Sequence, residues 1–288
     1  MNLSIIIVSF NTKKLLDECL SSIYKSLKSS LLKFEIIVVD NVSADGTREM
    51  LTEKYPKVVT ILNSQNAGFG RANNQGIRKA KGTTILLINS DTVVPVGAIQ
   101  SLYEFSEEHP NDFIGPKLLN TDMTPQTSCG PFFSLPVVFA ALFLKGDVNG
   151  LTRWSPDETK IVDWVSGACI MAKTSVFLDG LLFDEDIFMY MEEVDLLMRA
   201  AKKGHKTYFF HESKIVHLGG GSSVNKRTGP VLNIFKGLLF VYTKHYSRYS
   251  LLMLRLLLKK KAAVSWAIGS VIGNDYLKKT YAEAFRLV

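Results

Sequence analysis

Cysteine is scarce in this chain, and the three that occur, Cys19, Cys129 and Cys169, lie far apart with no CxxC pair. That spacing excludes a zinc site of paired thiolates and a disulfide-framed domain, and it suits a reducing compartment. No apolar run is long enough to span a bilayer without charges. The opening "MNLSIIIVSFN" enters a strand pattern with no basic segment or cleavage site, so a cytoplasmic location is expected. Acid is in deficit: 34 Lys and Arg stand against 27 Asp and Glu, a formal charge of +7, which favours partners bearing phosphate or anionic lipid. The excess gathers toward the C-terminus, so nucleic acid is not an expected partner. The first strand carries no glycine, which excludes a dinucleotide fingerprint there.

What is present is a large apolar fraction, 47% of 288 residues, enough for one α/β domain plus an appendage. "LSIIIVSF", "FEIIVVD", "VVTILN" and "TTILLIN" read as strands. Between them lie helical spacings, such as Leu15, Leu16, Leu20, Ile23 and Leu27. Such alternation with continuously apolar strands argues for a parallel sheet covered on both faces, whose ligands sit beyond the strands' carboxyl ends. Polar residues collect there: Ser9 and Asn11 after the first strand, Asp40, Asn41 and Ser43 after the second, Asn63 and Asn66 after the third, Asn89 and Asp91 after the fourth. Each alone is an ordinary turn or capping residue.

Asp91 is different, because "TVV" follows it where a helix would start. A buried carboxylate needs a partner, and an arginine, a ring of backbone amides or a metal ion all satisfy that need. "GFGRANN" (Gly68 to Asn74) follows a strand and opens a helix, but Asn73 takes the third glycine position of a dinucleotide loop. Its glycines allow close backbone approach to a ligand, with Arg71 available to a phosphate.

Beyond residue 110 the alternation stops. The stretch Pro131 to Asp147 is apolar and interrupted by Pro136, either core or an exposed lip. "VDWVSGACIMAKTSVF" reads as a strand into a short helix, and a helix begins near Glu192 and Glu193, with Asp195 and Arg199 placed for a structural i, i+4 pair. The tail from Val231 reads as a basic, amphipathic pair of helices, for which membrane-surface contact and ordinary packing both stand open.

Taken in order, "IIIVSFN", "VVDNVSADGT", "NAGFGRANNQG", "LLINSDT", "VSGA", "MYMEEVDLLMR" and "VHLGGGSS" resemble family 2 glycosyltransferases, in particular their rhamnosyltransferase-like branch. The likeness runs over about residues 3–246. It implies a GT-A fold: an α/β, Rossmann-like mixed sheet that binds a nucleotide sugar, with flanking helices and C-terminal amphipathic helices. The expected division is a catalytic domain over 1–230, with a nucleotide-sugar half at 1–110 and an acceptor half at 111–230, then a basic helical region at 231–288.

The resemblance further implies a dTDP- or UDP-sugar lying across the first four strand ends. Asp40 would accept from the imino N–H of the base, with Ser9, Asn11 and Asn66 nearby and Arg71, Asn73 and Asn74 on the nucleotide or sugar. "NSD" stands where the family often carries DxD, so Asp91's partner becomes Mn2+ or Mg2+ bridging to the diphosphate. Asn89 replaces the first acid and leaves one firm carboxylate. His217 matches a position that supplies a further ligand.

The family's base is the second residue of an acidic pair opening a helix, which assigns Glu193 as the base and Glu192 as its neighbour on the acceptor side. One base without a protein nucleophile implies inversion at the anomeric carbon. "WVSGA" would floor the acceptor site, and a saccharide or polyprenyl-linked saccharide of a cell-surface polysaccharide is the expected acceptor. Two rivals remain. A sugar nucleotidyltransferase would need a glycine-rich loop where "SFNTKK" stands, and a non-catalytic, membrane-peripheral nucleotide-sugar binder would not need the acidic pair.

Overall fold

The computed structural model of the protein describes residues 1–219 and 228–288. Its first half follows the apolar periods: β1 (Leu3–Ser9), α1 (Lys13–Ser26), β2 (Phe34–Asp40), α2 (Thr47–Lys54), β3 (Val59–Leu62), α3 (Phe69–Lys79) and β4 (Thr84–Ile88). β1 pairs in parallel with β2 and β4, and β2 with β3. Ile5, Ile6 and Ile7 are fully buried because helices cover both faces, which suits the β-branched run from Ile5 to Val8. Successive side chains point to opposite faces. Ile6 joins one core with Ala72 and Ile77 of α3, while Ile5 and Ile7 join another with Leu16, Leu20 and Ile23 of α1.

The chain continues with β5 (Thr92–Val93), α4 (Ala98–Glu108), β6 (Phe113–Leu119), β7 (Cys129–Gly130), α5 (Leu135–Phe143), β8 (Lys160–Val162), β9 (Trp164–Val165), β10 (Cys169–Lys173), α6 (Thr174–Leu178), α7 (Glu192–Lys202) and β11 (Thr207–His217). The main sheet runs in the order β3-β2-β1-β4-β10-β6-β11-β5, with β8 beside β11. β10 is antiparallel to both β4 and β6, so the sheet is mixed. The single strand expected over "VDWVSGACIMAK" is three short ones. β11 runs parallel to β6, and this carries its last residue, His217, to the sheet edge where β1, β2 and β4 end. There it pairs antiparallel with Thr92, next to Asp91.

Pro136 lies in the first turn of α5, where its missing N–H costs nothing, so it starts the apolar helix instead of interrupting it. The tail forms three helices where two were expected: α8 (Thr228–His245), α9 (Arg248–Val271) and α10 (Asp275–Leu287). Ser247 and Asn274 cap the last two with their side chains. α8 is no appendage, since Phe235, Leu238, Val241 and Tyr242 are buried in one core with Val194 and Leu197 of α7. α9 is two-sided: Leu254 and Leu258 are buried, whereas Leu252, Leu256 and Trp266 face outward among Arg255, Lys259 and Lys260. No helix among the described residues is long and apolar enough to cross a membrane.

Candidate active site

A cavity of about 660 Å³ opens at the strand ends. Its lining includes Asn89, Asp91 and His217, the acidic pair Glu192 and Glu193, and Ser166, Gly167 and Ala168. Segments more than a hundred residues apart in sequence therefore meet in one space.

At the first corner, His217 Nε2 lies 3.4 Å from Asp91 Oδ1 and 3.5 Å from Asn89 Nδ2. Gln126 sets the imidazole tautomer. Its side-chain amide donates to Asn120 Oδ1 and to the His217 carbonyl, so its Oε1 accepts from His217 Nδ1 at 2.7 Å. With the proton on Nδ1, the Nε2 lone pair faces Asp91. Asn89 Oδ1 is buried and accepts no hydrogen bond. A carboxylate oxygen and an imidazole nitrogen thus meet beside the Asn89 amide, donors that fit Mn2+ or Mg2+ once phosphate oxygens complete the shell. Among the described residues no group of three His, Cys, Asp or Glu side chains gathers as a metal site, so this corner depends on a ligand for its remaining donors. In the motif "VHLGGGSS", residues 220–223 lie outside the described residues.

The strand ends hold the other expected contacts unequally. Asp40 is fully buried; its Oδ2 accepts from Arg48 Nε at 2.6 Å and from the Ser43 N–H, while its Oδ1 has no partner. Arg48, which no motif singled out, thus balances the charge and leaves one acceptor open. Asn66 lines the cavity and accepts from the Gly68 N–H. Ser9 is buried against Thr12, and Asn11, with φ of 53°, ties down the Ser43–Ala44 turn, so Val8, Phe10 and Thr12 line the cavity in their place.

Arg71, Asn73 and Asn74 do not line the cavity. Arg71 pairs with Glu185 at 3.1 Å, and Asn73 donates to the Phe69 carbonyl. Asn74 donates to the Phe183 carbonyl and Glu185, and accepts from the Phe183 N–H. Gly68 is approached by a backbone within the protein: a Cβ there would stand 2.6 Å from the Phe188 carbonyl. Arg71 and Asn74 tie the segment 183–185 to α3, a few residues before α7 begins.

The entry to α7 is strained. Tyr190 and Met191 both take left-handed φ, 68° and 75°, before the first helical residue. Gly237 of α8 sits against this turn, where a Cβ would lie 2.6 Å from the Tyr190 carbonyl. The turn delivers two carboxyls into the cavity, and Oε2 of each has no hydrogen-bond partner. Burial raises the Glu192 pKa well above the usual carboxylate range, and the neighbouring Glu193 charge adds to it. Burial also raises Glu193, opposed by backbone N–H groups, including that of Gly167, and by Arg153. Glu192 therefore holds a proton more tightly, and Glu193 is the better supported anion.

Asp195 serves a different purpose. It accepts from Arg199 at 2.8 Å, the expected i, i+4 pair, and also from Lys244 at 2.8 Å and His245 at 2.7 Å on α8. Burial works to raise its pKa, but Lys244, Arg199 and His245 hold it below the usual range, so this carboxylate locks α8 to α7.

Comparisons with known proteins agree with this arrangement. Residues 4–127 match the family profile "Glycosyl transferase family 2". An N-acetylglucosaminyl-diphospho-decaprenol L-rhamnosyltransferase of Mycobacterium tuberculosis is 27% identical over 202 residues, 63% of this chain and 66% of the relative. A hexosyltransferase of low-salt glycan biosynthesis from Haloferax volcanii is 26% identical over 206 residues, 70% of this chain and 62% of the relative. The matches thus span slightly less than two thirds of these relatives' lengths. Among solved structures, residues 1–349 of S. aureus TarS superimpose with a TM-score of 0.56 at 15% identity, covering 99% of this chain and 89% of that one. The mixed sheet and flanking helices have the GT-A fold, and by sequence the N-terminal part of the chain is similar to family 2 glycosyltransferases, rhamnosyltransferases among them.

Proposed function

We propose that the protein is an inverting glycosyltransferase that moves a sugar from a dTDP- or UDP-sugar to a hydroxyl of a saccharide or polyprenyl-linked saccharide in cell-surface polysaccharide synthesis. The observation that carries this reading is the shared cavity, which Asn89, Asp91 and His217 line together with Glu192 and Glu193. Asp40 does not line the cavity, but its Oδ1 has no hydrogen-bond partner and suits the imino N–H of a uracil or thymine ring. The Mycobacterium relative is named for L-rhamnose, which makes dTDP-rhamnose the first donor to test.

Glu193 removes the acceptor's hydroxyl proton as the new C–O bond forms and the sugar–phosphate bond breaks. Burial and the Glu193 charge raise the Glu192 pKa, which favours carrying the negative charge for that task on Glu193. Asn89, Asp91 and His217 would hold Mn2+ or Mg2+, which when bound supplies positive charge to the departing diphosphate. Attack by the acceptor hydroxyl itself, with Glu193 as base and no covalent intermediate on the protein, is a single displacement that inverts the anomeric configuration.

The exposed Leu252, Leu256 and Trp266 of α9, set among Arg255, Lys259 and Lys260, support peripheral attachment to an anionic membrane at its cytoplasmic face. A screen of nucleoside diphosphate release across dTDP- and UDP-sugars, with NMR of the product's anomeric proton, tests the whole. An inverted linkage is expected, and a retained one would contradict a base-only mechanism.

A further inference from the structure

The mechanism so far leaves one cation in the cavity without a task. Arg153 lies in the connection between α5 and β8, with its Cζ 5.2 Å from the centre of the Trp164 ring. Trp164 is itself fixed: its Nε1–H donates to the Pro131 carbonyl at 2.9 Å, and its ring stacks on Phe133 at 5.8 Å. A guanidinium resting on an immobile indole keeps its edge free for a planar, bidentate anion such as phosphate.

Among the described residues no hydrogen bond fills the Nε position of that edge, and the atom is buried. The nearest carboxylate, Asp147 Oδ1, stands at 3.8 Å, outside hydrogen-bond reach, and already accepts from Thr152. The same cavity has an apolar part of its lining, formed by Val138, Ala141 and Leu142 of α5 and Ile234 and Leu238 of α8. Glu193 feels the Arg153 charge, so the cation belongs to the base's side of the cavity. The other corner, with Asn89, Asp91 and His217, is where a donor diphosphate has its ligands.

We infer that Arg153 is a specificity-determining residue that binds a phosphate group on the acceptor, one that joins the acceptor sugar to an apolar chain lying along α5 and α8. The inference rests on the glycosyltransferase reading and assigns a recognition residue within it. An acceptor with its hydroxyl at Glu193, its phosphate at Arg153 and its chain on the apolar wall would satisfy all three surfaces at once. A neutral sugar would leave the Arg153 donor unfilled, which disfavours it.

Calorimetric titration of the full chain tests this, with UDP and MnCl2 present throughout so that the donor corner is occupied. Farnesyl diphosphate is the probe, with farnesol and inorganic pyrophosphate as controls and UDP titrated separately. Wild type should bind farnesyl diphosphate more tightly than either control. Arg153→Ala should weaken that binding by about tenfold or more, and Arg153→Lys, which keeps the charge without the fork, by less. UDP affinity should be the same in all three, which also shows that the variants fold.

Unchanged farnesyl diphosphate binding in Arg153→Ala would overturn the assignment. So would a parallel loss of UDP affinity, which would move Arg153 to the donor's diphosphate. Intact UDP binding with no farnesyl diphosphate binding by wild type would overturn this inference alone. No UDP binding by wild type would overturn the proposed function beneath it.

Discussion

His217 Nδ1 lies 2.7 Å from Gln126 Oε1, and this bond turns the bare Nε2 of the same ring toward Asp91 Oδ1 at 3.4 Å. Gln126 comes from the loop after β6, far from any motif, yet it decides which nitrogen can act as a ligand. Gln126→Leu is predicted to weaken Mn2+ binding in the presence of UDP by about 10- to 100-fold, the usual cost of losing such an outer partner. Electron paramagnetic resonance of free Mn2+ reads this directly. Unaltered Mn2+ affinity would remove His217 from the ligand set.

The acidic pair gives a signed pH prediction. Burial raises the Glu193 carboxyl above the ordinary glutamate value of 4.5, and it must lose its proton to act as a base. The rate kcat/KM should therefore rise with pH along an acid limb whose midpoint lies above that value. A limb at or below it would show that Glu193 is not the base.

Stability should move the opposite way. Glu192, whose pKa burial raises well above its ordinary value, contributes fully to stability only below its unfolded pKa and loses that contribution as pH rises through the folded value. Glu192→Gln should thus melt at a higher temperature than wild type at about pH 8, with the difference closing in acid. Thermal melts across pH check it, and a pH-independent difference would contradict the buried-acid account.

Gly237 offers a test of the strained turn. In an open helix, Gly→Ala stabilises by about 1 kcal/mol. Here the new Cβ would stand 2.6 Å from the Tyr190 carbonyl and 2.8 Å from Met191 Cγ, displacing the turn that carries Glu192 and Glu193. Gly237→Ala should lower kcat by about tenfold or more, since small misplacement of a catalytic group is costly. Its melting temperature should not rise. Full kcat in this variant would show that the turn's geometry is not required.

The same residues show what a sequence can carry. β1 through β4, their polar ends and the start of α7 were legible because hydrophobic period and strand-end chemistry are local properties. The insertion of β10 between β4 and β6 was not, because partner choice in a sheet is made between segments tens of residues apart. Asn74 illustrates the limit for sites. The resemblance set it on the nucleotide or sugar, whereas its bond to Phe183, 109 positions away, is visible only in the folded chain. Gln126, Arg48 and Arg153 stood in no motif, and only the folded chain shows that they touch functional groups.

The central claim is that Asp91 and Glu193 act across one cavity in different roles. Measuring UDP affinity with Mn2+ alongside donor turnover in wild type, Asp91→Asn and Glu193→Gln tests it most directly. Glu193→Gln should bind UDP as wild type does while turnover falls by about 10²- to 10⁴-fold, and Asp91→Asn should lose both. Full turnover in either variant, or lost UDP binding in Glu193→Gln with intact binding in Asp91→Asn, would contradict it.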